Sequence, residues 1–255
     1  MSMRAILTYH SVDDSGSPIS VGRAEFRAHC AFLASGRVRV VSLEALPDVP
    51  SHEDAVAITF DDGFENFWSD AAPELEARGL PATVFAVPGH VGAHNDWGGR
   101  QVTGIPHLPL MSWDHLARLR ERGFAIGAHT RTHPALPAIP ATQLEGELGG
   151  CVEDIEGQTG VRPSTFAYPY GAWDATSAKV VRQHFALACT TELRALRAVE
   201  DRALMPRLDM YYLRAPGLLD RWGSAAFRSL LWLRSRGRQL RGLLAGPAGV
   251  ARQVA

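Results

Sequence analysis

Short strand-like segments alternate with longer amphipathic segments along most of this chain. The strand-like segments lie at 5–9, 55–60, 82–86, 125–128, 165–167 and 185–189. The segments between them have helical periodicity, at 22–35, 66–78, 113–122, 141–158 and 173–183. Alternation of strands with helices is typical of parallel α/β proteins. The pattern therefore predicts a parallel sheet with helices packed around it.

Several helix boundaries are marked by residues that favour them. Gly79, Gly123 and Gly160 each follow a helical segment, where a residue with positive φ commonly ends the helix. Ser112 directly precedes another helical segment, and its side chain is suited to cap the first turn. The three glycines therefore support the predicted C-termini of helices, and Ser112 supports a predicted N-terminus.

The segment 88–110 is a long loop rich in Gly, Pro, His and Asn, and it contains Trp97. Loops of this length inside a compact domain are usually either functional or disordered. The aromatic and polar content favours a functional loop. We therefore expect a lid that faces the substrate.

Length and composition are those of a globular α/β domain. The chain has 255 residues, of which 46% are hydrophobic and 21% charged. Cys30, Cys151 and Cys189 are far apart, which argues against a disulfide framework or a zinc–thiolate cluster. No run of about 18 apolar residues occurs, and the first residues do not form a signal-peptide pattern. The expected compartment is the cytoplasm.

Two adjacent carboxylates follow the strand-like segment 55–60. Asp61 and Asp62 would repel each other after a buried strand unless a cation or a proton neutralises one of them. The alternative is a simple turn, because Asp62-Gly63 is a common turn dipeptide. Metal-binding residues elsewhere in the chain would favour a bound cation over the simple turn as the explanation of this pair.

His129 and His133 are such residues, directly after the segment 125–128. Imidazoles four residues apart lie on one face of a helix and can bind the same divalent ion. Two histidines and one carboxylate, with open positions for water and substrate, form a recurrent catalytic metal set. One aspartate would then bind the metal, and the other would take a proton from the metal-bound water.

Polar residues also follow two other strand-like segments. His10 follows 5–9, and the turn Tyr168-Pro169-Tyr170-Gly171 follows 165–167. The carboxyl ends of the strands share one face of an α/β barrel, so we expect these residues to converge on the metal set. His10 is suited to give a proton to a leaving amine, and a backbone N–H of the turn is suited to stabilise an oxyanion. A buried structural histidine and a purely structural turn are the alternatives.

Three motifs together resemble the polysaccharide deacetylase family, also called carbohydrate esterase family 4 or the NodB homology domain. They are Thr59-Phe60-Asp61-Asp62-Gly63, His129-Thr130-Arg131-Thr132-His133 and Phe166-Ala167-Tyr168-Pro169-Tyr170-Gly171. The resemblance extends over residues 4–210 and implies an α/β fold, a distorted and incomplete (β/α)7 barrel. It also implies roles for the site residues: Asp61 as catalytic base, Asp62, His129 and His133 as ligands of zinc or a similar ion, and the Tyr170 amide as oxyanion donor.

Two features depart from the usual pattern of this family. The arginine that steers the catalytic aspartate is replaced by Ala167, and Arg207 is the expected substitute, with a surface arginine as the alternative. The usual C-terminal catalytic histidine is missing, since His184 is the last histidine in the chain. A circularly permuted branch of the family carries that strand at the front, and the segment ending at His10 resembles it. The resemblance therefore implies that His10 is the general acid.

The end of the chain differs in charge from the rest. The net charge is −1, yet residues 202–255 contain ten arginines against two acidic residues, Asp209 and Asp220. We expect a catalytic barrel over 1–222 and a basic, moderately amphipathic tail over 223–255. The acidic remainder of the chain argues against nucleic-acid binding.

A helical wheel of 224–245 separates most apolar side chains from most arginines. The apolar side holds Leu230, Trp232, Leu233, Leu240, Leu243 and Leu244, the other side holds Arg228, Arg234, Arg238 and Arg241, and Phe227, Leu231 and Arg236 break the pattern. One hypothesis is peripheral contact with the anionic inner face of the membrane. The alternative is a final helix that packs on the barrel with its arginine face in solvent, so that the apolar side contacts the barrel.

The expected reaction is removal of the N-acetyl group from an N-acetylhexosamine unit of a polysaccharide, a lipid-linked intermediate or a small glycan. The residues expected at the oxyanion and the substrate are Tyr170, Pro169, Gly171, Arg207 and Trp97. An O-deacetylase, or a hydrolase of another amide, fits the same metal site. A non-catalytic glycan-binding module is a further alternative, although base and ligands are all present. Zinc is the expected cofactor, with nickel and cobalt as alternatives.

Overall fold

A parallel sheet forms the centre of the computed structural model, which describes residues 2–97 and 103–245. Its strands, in chain order, are β1 (Arg4–Tyr9), β2 (Ser11–Val12), β3 (Ser20–Val21), β4 (Arg39–Val40), β5 (Ala55–Phe60), β6 (Ala82–Ala86), β7 (Ala125–Ala128), β8 (Thr165–Ala167), β9 (Leu187–Cys189) and β10 (Arg207–Asp209). Seven of them lie side by side in the order β10-β1-β5-β6-β7-β8-β9, and all neighbours are parallel. The short β4 pairs with the beginning of β5, while β2 and β3 form a separate pair.

The sheet is nearly closed into a barrel, with one seam between β9 and β10. Backbone bonds span part of this seam, because Met205 donates its N–H to the Ala188 carbonyl and accepts from the Thr190 N–H, both at 2.8 Å. The predicted fold, an α/β incomplete barrel with seven strands, is confirmed. The strand prediction missed β10 and the two-residue strands β2, β3 and β4.

Six α-helices are described: α1 (Arg23–Ala34), α2 (Ala72–Glu76), α3 (Trp113–Glu121), α4 (Leu144–Thr159), α5 (Ala175–His184) and α6 (Ala225–Ala245). The predicted helix 66–78 is divided, because a π-helical turn, Phe67–Ala71, precedes α2. There the Ala72 N–H donates to the carbonyl of Phe67, five residues back. Pro73 has no N–H to continue an ordinary ladder, which explains the wider turn.

The residues predicted to mark helix ends do so. The Ser112 hydroxyl accepts from the His115 N–H at the start of α3. Gly79, Gly123 and Gly160 have φ values of 62°, 90° and 71°. A residue with a side chain at these positions would be strained, so glycine stabilises the helix ends.

The core lies on both faces of the sheet. Every residue of β1 and β5 is buried, as expected of parallel strands covered on two sides. Inside the barrel, Ile6, Ala57, Phe85, Leu187 and Met205 belong to one apolar cluster. Because the interior is filled with packed side chains, the strands and the residues that follow them are held in fixed positions. The three cysteines are buried and unpaired, as expected.

The helix α6 packs on the barrel with the side opposite to the predicted one. Phe227 and Leu231 are 1% and 5% exposed and belong to the cluster around β1, whereas Trp232, Leu233 and Leu240 are 57–62% exposed. The prediction set Phe227 and Leu231 aside as exceptions, but these two are the contacts with the barrel. The side chains of Arg241, Leu243 and Leu244, and residues 246–255, lie outside the described residues. Among the described helices, none has both the length and the hydropathy needed to cross a bilayer.

Candidate active site

The polar residues predicted at strand ends surround one cavity at the carboxyl end of the barrel. The lining includes His10 after β1, Asp61 and Asp62 after β5, His129 and His133 after β7, Tyr170 after β8, and Trp97 from the long loop. The pairing of Tyr9 with Phe60 and of Ala86 with Ala128 places these strand ends at one level. Arg207 lies in β10 and contacts the site from within the barrel.

Asp62, His129 and His133 form a compact, buried group. The Asp62 Oδ1 atom lies 3.4 Å from His129 Nε2 and 3.2 Å from His133 Nε2. One ligand atom from each residue lies within 4.8 Å of the others. Tetrahedral ligands at roughly 2.0–2.2 Å from zinc are themselves about 3.3–3.6 Å apart, so the two distances from Asp62 are close to those around one divalent ion.

The two histidines do not lie on a helical face, contrary to the reasoning used to pair them. Residues 129–133 form a loop in which Thr130 and His133 have φ values of 62° and 65°. The Thr130 hydroxyl accepts from the His133 N–H at 3.0 Å and fixes this turn. The turn brings the two rings to a centroid distance of 4.8 Å. The spacing was therefore informative, but its geometric explanation was wrong.

Both imidazoles have a partner on the ring nitrogen that faces away from Asp62. His129 Nδ1 lies 2.7 Å from the Ala167 carbonyl, and His133 Nδ1 lies 3.1 Å from the Tyr170 hydroxyl. Metal-binding histidines commonly have such an outer partner, which fixes the tautomer and leaves Nε2 for the ion. The donor set and its outer partners therefore fit a divalent cation. Sequence reasoning missed the Tyr170 hydroxyl, since it assigned this residue only a backbone role.

Glu147 of α4 clamps the loop between the two histidines. Its Oε2 atom accepts from the backbone N–H groups of Arg131 and Thr132, both at 2.9 Å. Its Oε1 atom accepts from the Thr132 hydroxyl at 2.6 Å. The sequence contains no signal for this contact, because the spacing of fifteen residues has no pattern associated with it.

Within the site, Asp62 and the histidines of its group shift one another's pKa values. Burial raises the pKa of Asp62, but hydrogen bonds from His129 and His133 outweigh it and hold that pKa well below its usual range. Burial lowers the pKa of His129, yet Asp62 and Asp61 raise it further, so the net shift is upward. Asp62 is therefore ionised, which is the form that could bind a cation.

Arg207 and Asp61 form a buried, two-point ion pair. The Nη1 and Nη2 atoms of Arg207 lie 2.6 and 2.7 Å from Asp61 Oδ1 and Oδ2. Their side chains are 1% and 3% exposed. Burial raises the pKa of Asp61, but the charges of Arg207 and His129 outweigh it and bring the pKa below its usual value. Arg207 is thus a buried partner of Asp61 and not a surface arginine.

His10 lies at the edge of the cavity beside Asp61. Its Nε2 atom is 3.8 Å from Asp61 Oδ2, and its side chain is 15% exposed. This distance is too long for a direct hydrogen bond but places both groups around one small space. His10 therefore faces the site and is not a histidine buried in the core.

The turn after β8 brings its backbone close to the site. Tyr170 has a φ of 59°, and Pro169 before it is buried. A Cβ atom on Gly171 would lie 2.1 Å from the Thr191 hydroxyl, so only glycine fits there. Within the lid, the Trp97 ring stacks on His133 with centroids 4.2 Å apart. The structure thus places Trp97, Tyr168 and Tyr170 in the cavity lining, whereas Pro169 and Gly171 belong to the same turn without lining the cavity.

The incomplete barrel and the group of two histidines and one aspartate at its carboxyl end define a class of α/β barrel proteins with a site suited to a divalent cation. Within that class, the chain belongs to the polysaccharide deacetylase family, whose profile matches residues 48–186. It is 25% identical over 193 residues to YxkH of Bacillus subtilis, which is named as a polysaccharide deacetylase. It is 26% identical over 145 residues to chitin deacetylase 1 of Cryptococcus neoformans.

The matched regions cover 73% and 57% of this chain but only 64% and 26% of these two relatives, so the chain spans less than two thirds of either. Among solved structures, IcaB from Ammonifex degensii is similar, with a TM-score of 0.70, 24% identity, and coverage of 89% of this chain and 97% of that one. A polysaccharide deacetylase from Bacillus cereus has a TM-score of 0.68, 24% identity, and coverage of 82% and 65%. At these identities the likeness establishes the fold. The circularly permuted arrangement stays a prediction.

Proposed function

We propose that the protein removes the N-acetyl group from an N-acetylhexosamine unit, with Asp61 as the base and His10 as the acid. One observation carries the proposal: Asp61 lines the same cavity as the Asp62, His129 and His133 group, and its Oδ2 atom is 3.8 Å from His10 at the cavity edge. Arg207 holds both oxygens of Asp61, which fixes its position. Amide hydrolysis needs a base for water and an acid for the amine, and this arrangement offers one of each.

Asp62, His129 and His133 are the residues that would hold the divalent cation, which we propose is zinc, with nickel and cobalt as alternatives. When bound, the cation would polarise the acetyl carbonyl and make water more acidic. The contacts of Ala167 and Tyr170 with the two rings support this role, because they leave both Nε2 atoms directed at Asp62.

Asp61 is proposed as the base because its carboxylate is ionised and held in place. The Arg207 charge keeps its pKa low, so the carboxylate is ready to accept a proton from the attacking water near neutral pH. An aspartate bound at both oxygens by an arginine is less suited to be a metal ligand than Asp62. This difference divides the roles of the two aspartates.

The remaining two steps use His10 and the backbone of Tyr170. His10 gives a proton to the nitrogen of the leaving amine, which must be protonated before the C–N bond breaks. The backbone N–H of Tyr170, in its left-handed turn, stabilises negative charge on the acetyl oxygen. An ester needs less help from an acid, so the O-deacetylase alternative depends less on His10.

The proposal is tested by acetate release from matched N-acetyl and O-acetyl sugars, with an Asp61→Asn variant. A matched control is Asp114→Asn, because Asp114 is 65% exposed on α3 and lies outside the cavity lining. We expect release from the N-acetyl sugar that Asp61→Asn abolishes and Asp114→Asn leaves unchanged. Preference for the O-acetyl sugar would favour the alternative, and equal activity of Asp61→Asn would contradict the assigned base.

We also propose that α6 binds an anionic membrane surface. The helix contains five arginines and no acidic residue, and it presents Trp232, Leu233 and Leu240 to solvent. Exposed apolar side chains beside arginines on one helix fit the interface of an anionic bilayer. Phe227 and Leu231 hold the other side of the helix on the barrel, which leaves the exposed side free for this contact.

Flotation with vesicles tests this contact. The double variant Trp232→Ser/Leu233→Ser removes the apolar contacts, and Val199→Ser is a control at another exposed apolar residue, 86% exposed. We expect wild type and Val199→Ser to float with anionic vesicles and not with neutral ones, and the double variant to stay behind. Equal flotation of all three proteins would contradict the proposal.

A further inference from the structure

Strained backbone is concentrated at the candidate active site. Among the described residues, the non-glycine residues with positive φ are Asp62, Thr130, His133 and Tyr170. This conformation is unfavourable for any residue with a Cβ atom, and most of all for a β-branched residue such as Thr130. Two of the four lie in residues 129–133, which we call the ligand loop because a candidate ligand stands at each end. Such strain persists only where surrounding contacts hold it, so the ligand loop needs a support.

Part of the support comes from within the ligand loop. The Thr130 hydroxyl donates to the His129 carbonyl at 2.6 Å and accepts from the His133 N–H at 3.0 Å. These bonds join the two ends of the loop. They do not involve the N–H groups of Arg131 and Thr132 in its middle, which need partners from another part of the fold.

Glu147 of α4 is the partner of the middle of the loop. Its carboxylate accepts from the N–H groups of Arg131 and Thr132 and from the Thr132 hydroxyl, at 2.9, 2.9 and 2.6 Å. The Arg131 N–H also lies 3.0 Å from the Glu147 backbone carbonyl. Hydrogen bonds to an ionised acceptor are stronger than those between neutral groups. One side chain therefore fixes two consecutive backbone N–H groups between the two histidines.

The ligand loop is also held on two sides of Arg131. The Nε and Nη2 atoms of Arg131 lie 2.7 and 2.9 Å from the Asp154 carboxylate, two turns further along α4 than Glu147. The Arg131 carbonyl accepts from the Gly89 N–H at 2.8 Å, and a Cβ atom on Gly89 would lie 2.6 Å from that oxygen. The loop is thus enclosed between α4 and the segment after β6.

The helix that carries Glu147 is fixed relative to the strand that leads into His129. Leu148, Cys151 and Val152 of α4 are buried in one apolar cluster with Ala128, the last residue of β7. Closely packed side chains leave little freedom for the helix to shift against the strand. The Glu147 carboxylate therefore has a defined position relative to both ends of the ligand loop.

We infer that Glu147 is a positioning residue of the cation site, which keeps the ligand loop in its ligating form before a cation binds. Without this carboxylate, the strained turn at Thr130 and His133 would relax, and part of the binding free energy of the cation would be used to rebuild it. Glu147 acts through His129 and His133 and does not touch the cation. The inference rests on the proposed cation site and deacetylase function, and it adds a residue that controls cation affinity.

Calorimetric titration of the chelator-stripped full chain with zinc tests this role. We expect Glu147→Ala to weaken zinc binding about 10–100-fold, as for other residues that orient metal ligands. Glu147→Gln keeps the shape and an acceptor oxygen, so it should lose less affinity than Glu147→Ala. The control is Glu156→Ala on the same helix, because Glu156 is 49% exposed and pairs with Arg162 at the surface. The control should bind zinc as wild type does.

Two further measurements separate this role from a purely structural one. The absorption spectrum of each protein saturated with cobalt reports its ligand set, and we expect Glu147→Ala to match wild type because the same three ligands bind. A changed spectrum would show that a ligand is lost and would overturn the inference. A lower urea midpoint of stripped Glu147→Ala with unchanged zinc affinity would also overturn it, since Glu147 would then support only the fold.

The wild-type protein distinguishes failure of this inference from failure of the proposed function. Unchanged zinc affinity in both Glu147 variants would overturn the inference and leave the proposed deacetylase intact. Wild type that binds no zinc would overturn the proposed zinc site, and this inference with it. Acetate release is measured on the same zinc-saturated samples. Zinc binding without acetate release in wild type would contradict the proposed function alone.

Discussion

Replacing Arg207 by methionine probes the base and the fold at once. The substitution removes both bonds to Asp61 and the bond from Arg207 Nε to the Thr190 carbonyl, at 2.9 Å. Methionine fills much of the same volume, so the main loss is the charge and its hydrogen bonds. The Asp61 carboxylate is left in a buried position without its strongest partner.

Two magnitudes follow from this geometry. Breaking a buried ion pair by removing one partner costs about 3–5 kcal/mol of unfolding free energy at neutral pH. Loss of a neighbouring arginine raises a carboxyl pKa by roughly 1–3 units, so the acid limb of kcat/KM moves upward by a similar amount. The stability deficit shrinks as the pH falls, because protonation of Asp61 removes the unpaired charge.

Urea unfolding at two pH values and a pH profile of kcat/KM measure these effects. The double variant Asp61→Asn/Arg207→Met should recover much of the lost stability, since no buried charge is left unpaired. Arg194→Met is a matched control, because Arg194 also pairs with two carboxylates, Glu192 and Glu200, but lies outside the site. Two results together would refute the role of Arg207. The acid limb of kcat/KM in Arg207→Met would stay at its wild-type pH, and the stability losses of Asp61→Asn and Arg207→Met would simply add in the double variant.

Three further outcomes are expected. Tyr170→Phe removes the partner of His133 and should weaken cation affinity about 10–100-fold in a chelator competition; unchanged affinity would contradict this role. Burial lowers the pKa of His29 to about 4 from 6.5, so its stability contribution, about 3 kcal/mol, is present above pH 6.5 and lost as pH falls towards 4. His29→Gln should flatten that part of the urea stability profile, and an unaltered profile would refute the assignment. Leu231→Ala should lower the free energy of unfolding in urea by about 2–5 kcal/mol, whereas Leu233→Ala, at an exposed residue, should change it by no more than about 0.5 kcal/mol. Equal losses in the two variants would contradict the packing of α6.

The strand ends and their polar residues could be read from the sequence, because apolar runs followed at once by Asp, His or Tyr are local features. The barrel topology then brings these residues to one face, so the cavity lining was largely predictable. Arg207 was predicted only through the departure from the family pattern, since the predicted strands did not include β10. The resemblance supplied the roles of Asp61 and Asp62, which local sequence alone left open.

Other features depend on tertiary contacts that no local pattern encodes. The turn at Thr130, the clamp by Glu147 and the Tyr170 hydroxyl on His133 each join residues through the folded structure. The packing side of α6 was predicted wrongly, because a helical wheel sorts residues by type and not by what they contact. Phe227 and Leu231 pack on the barrel despite arginines nearby. The cytoplasmic location and the boundary at residue 222 stay predictions.

The most direct test of the central claim is acetate release as a function of bound metal in one set of samples. Protein stripped by a chelator is titrated with zinc, and bound zinc and acetate release are both measured, with a His129→Gln/His133→Gln variant alongside. We expect activity to return in proportion to bound zinc, up to one ion per chain, and the variant neither to bind zinc nor to release acetate. Full activity after stripping, or acetate release by the variant, would contradict the central claim.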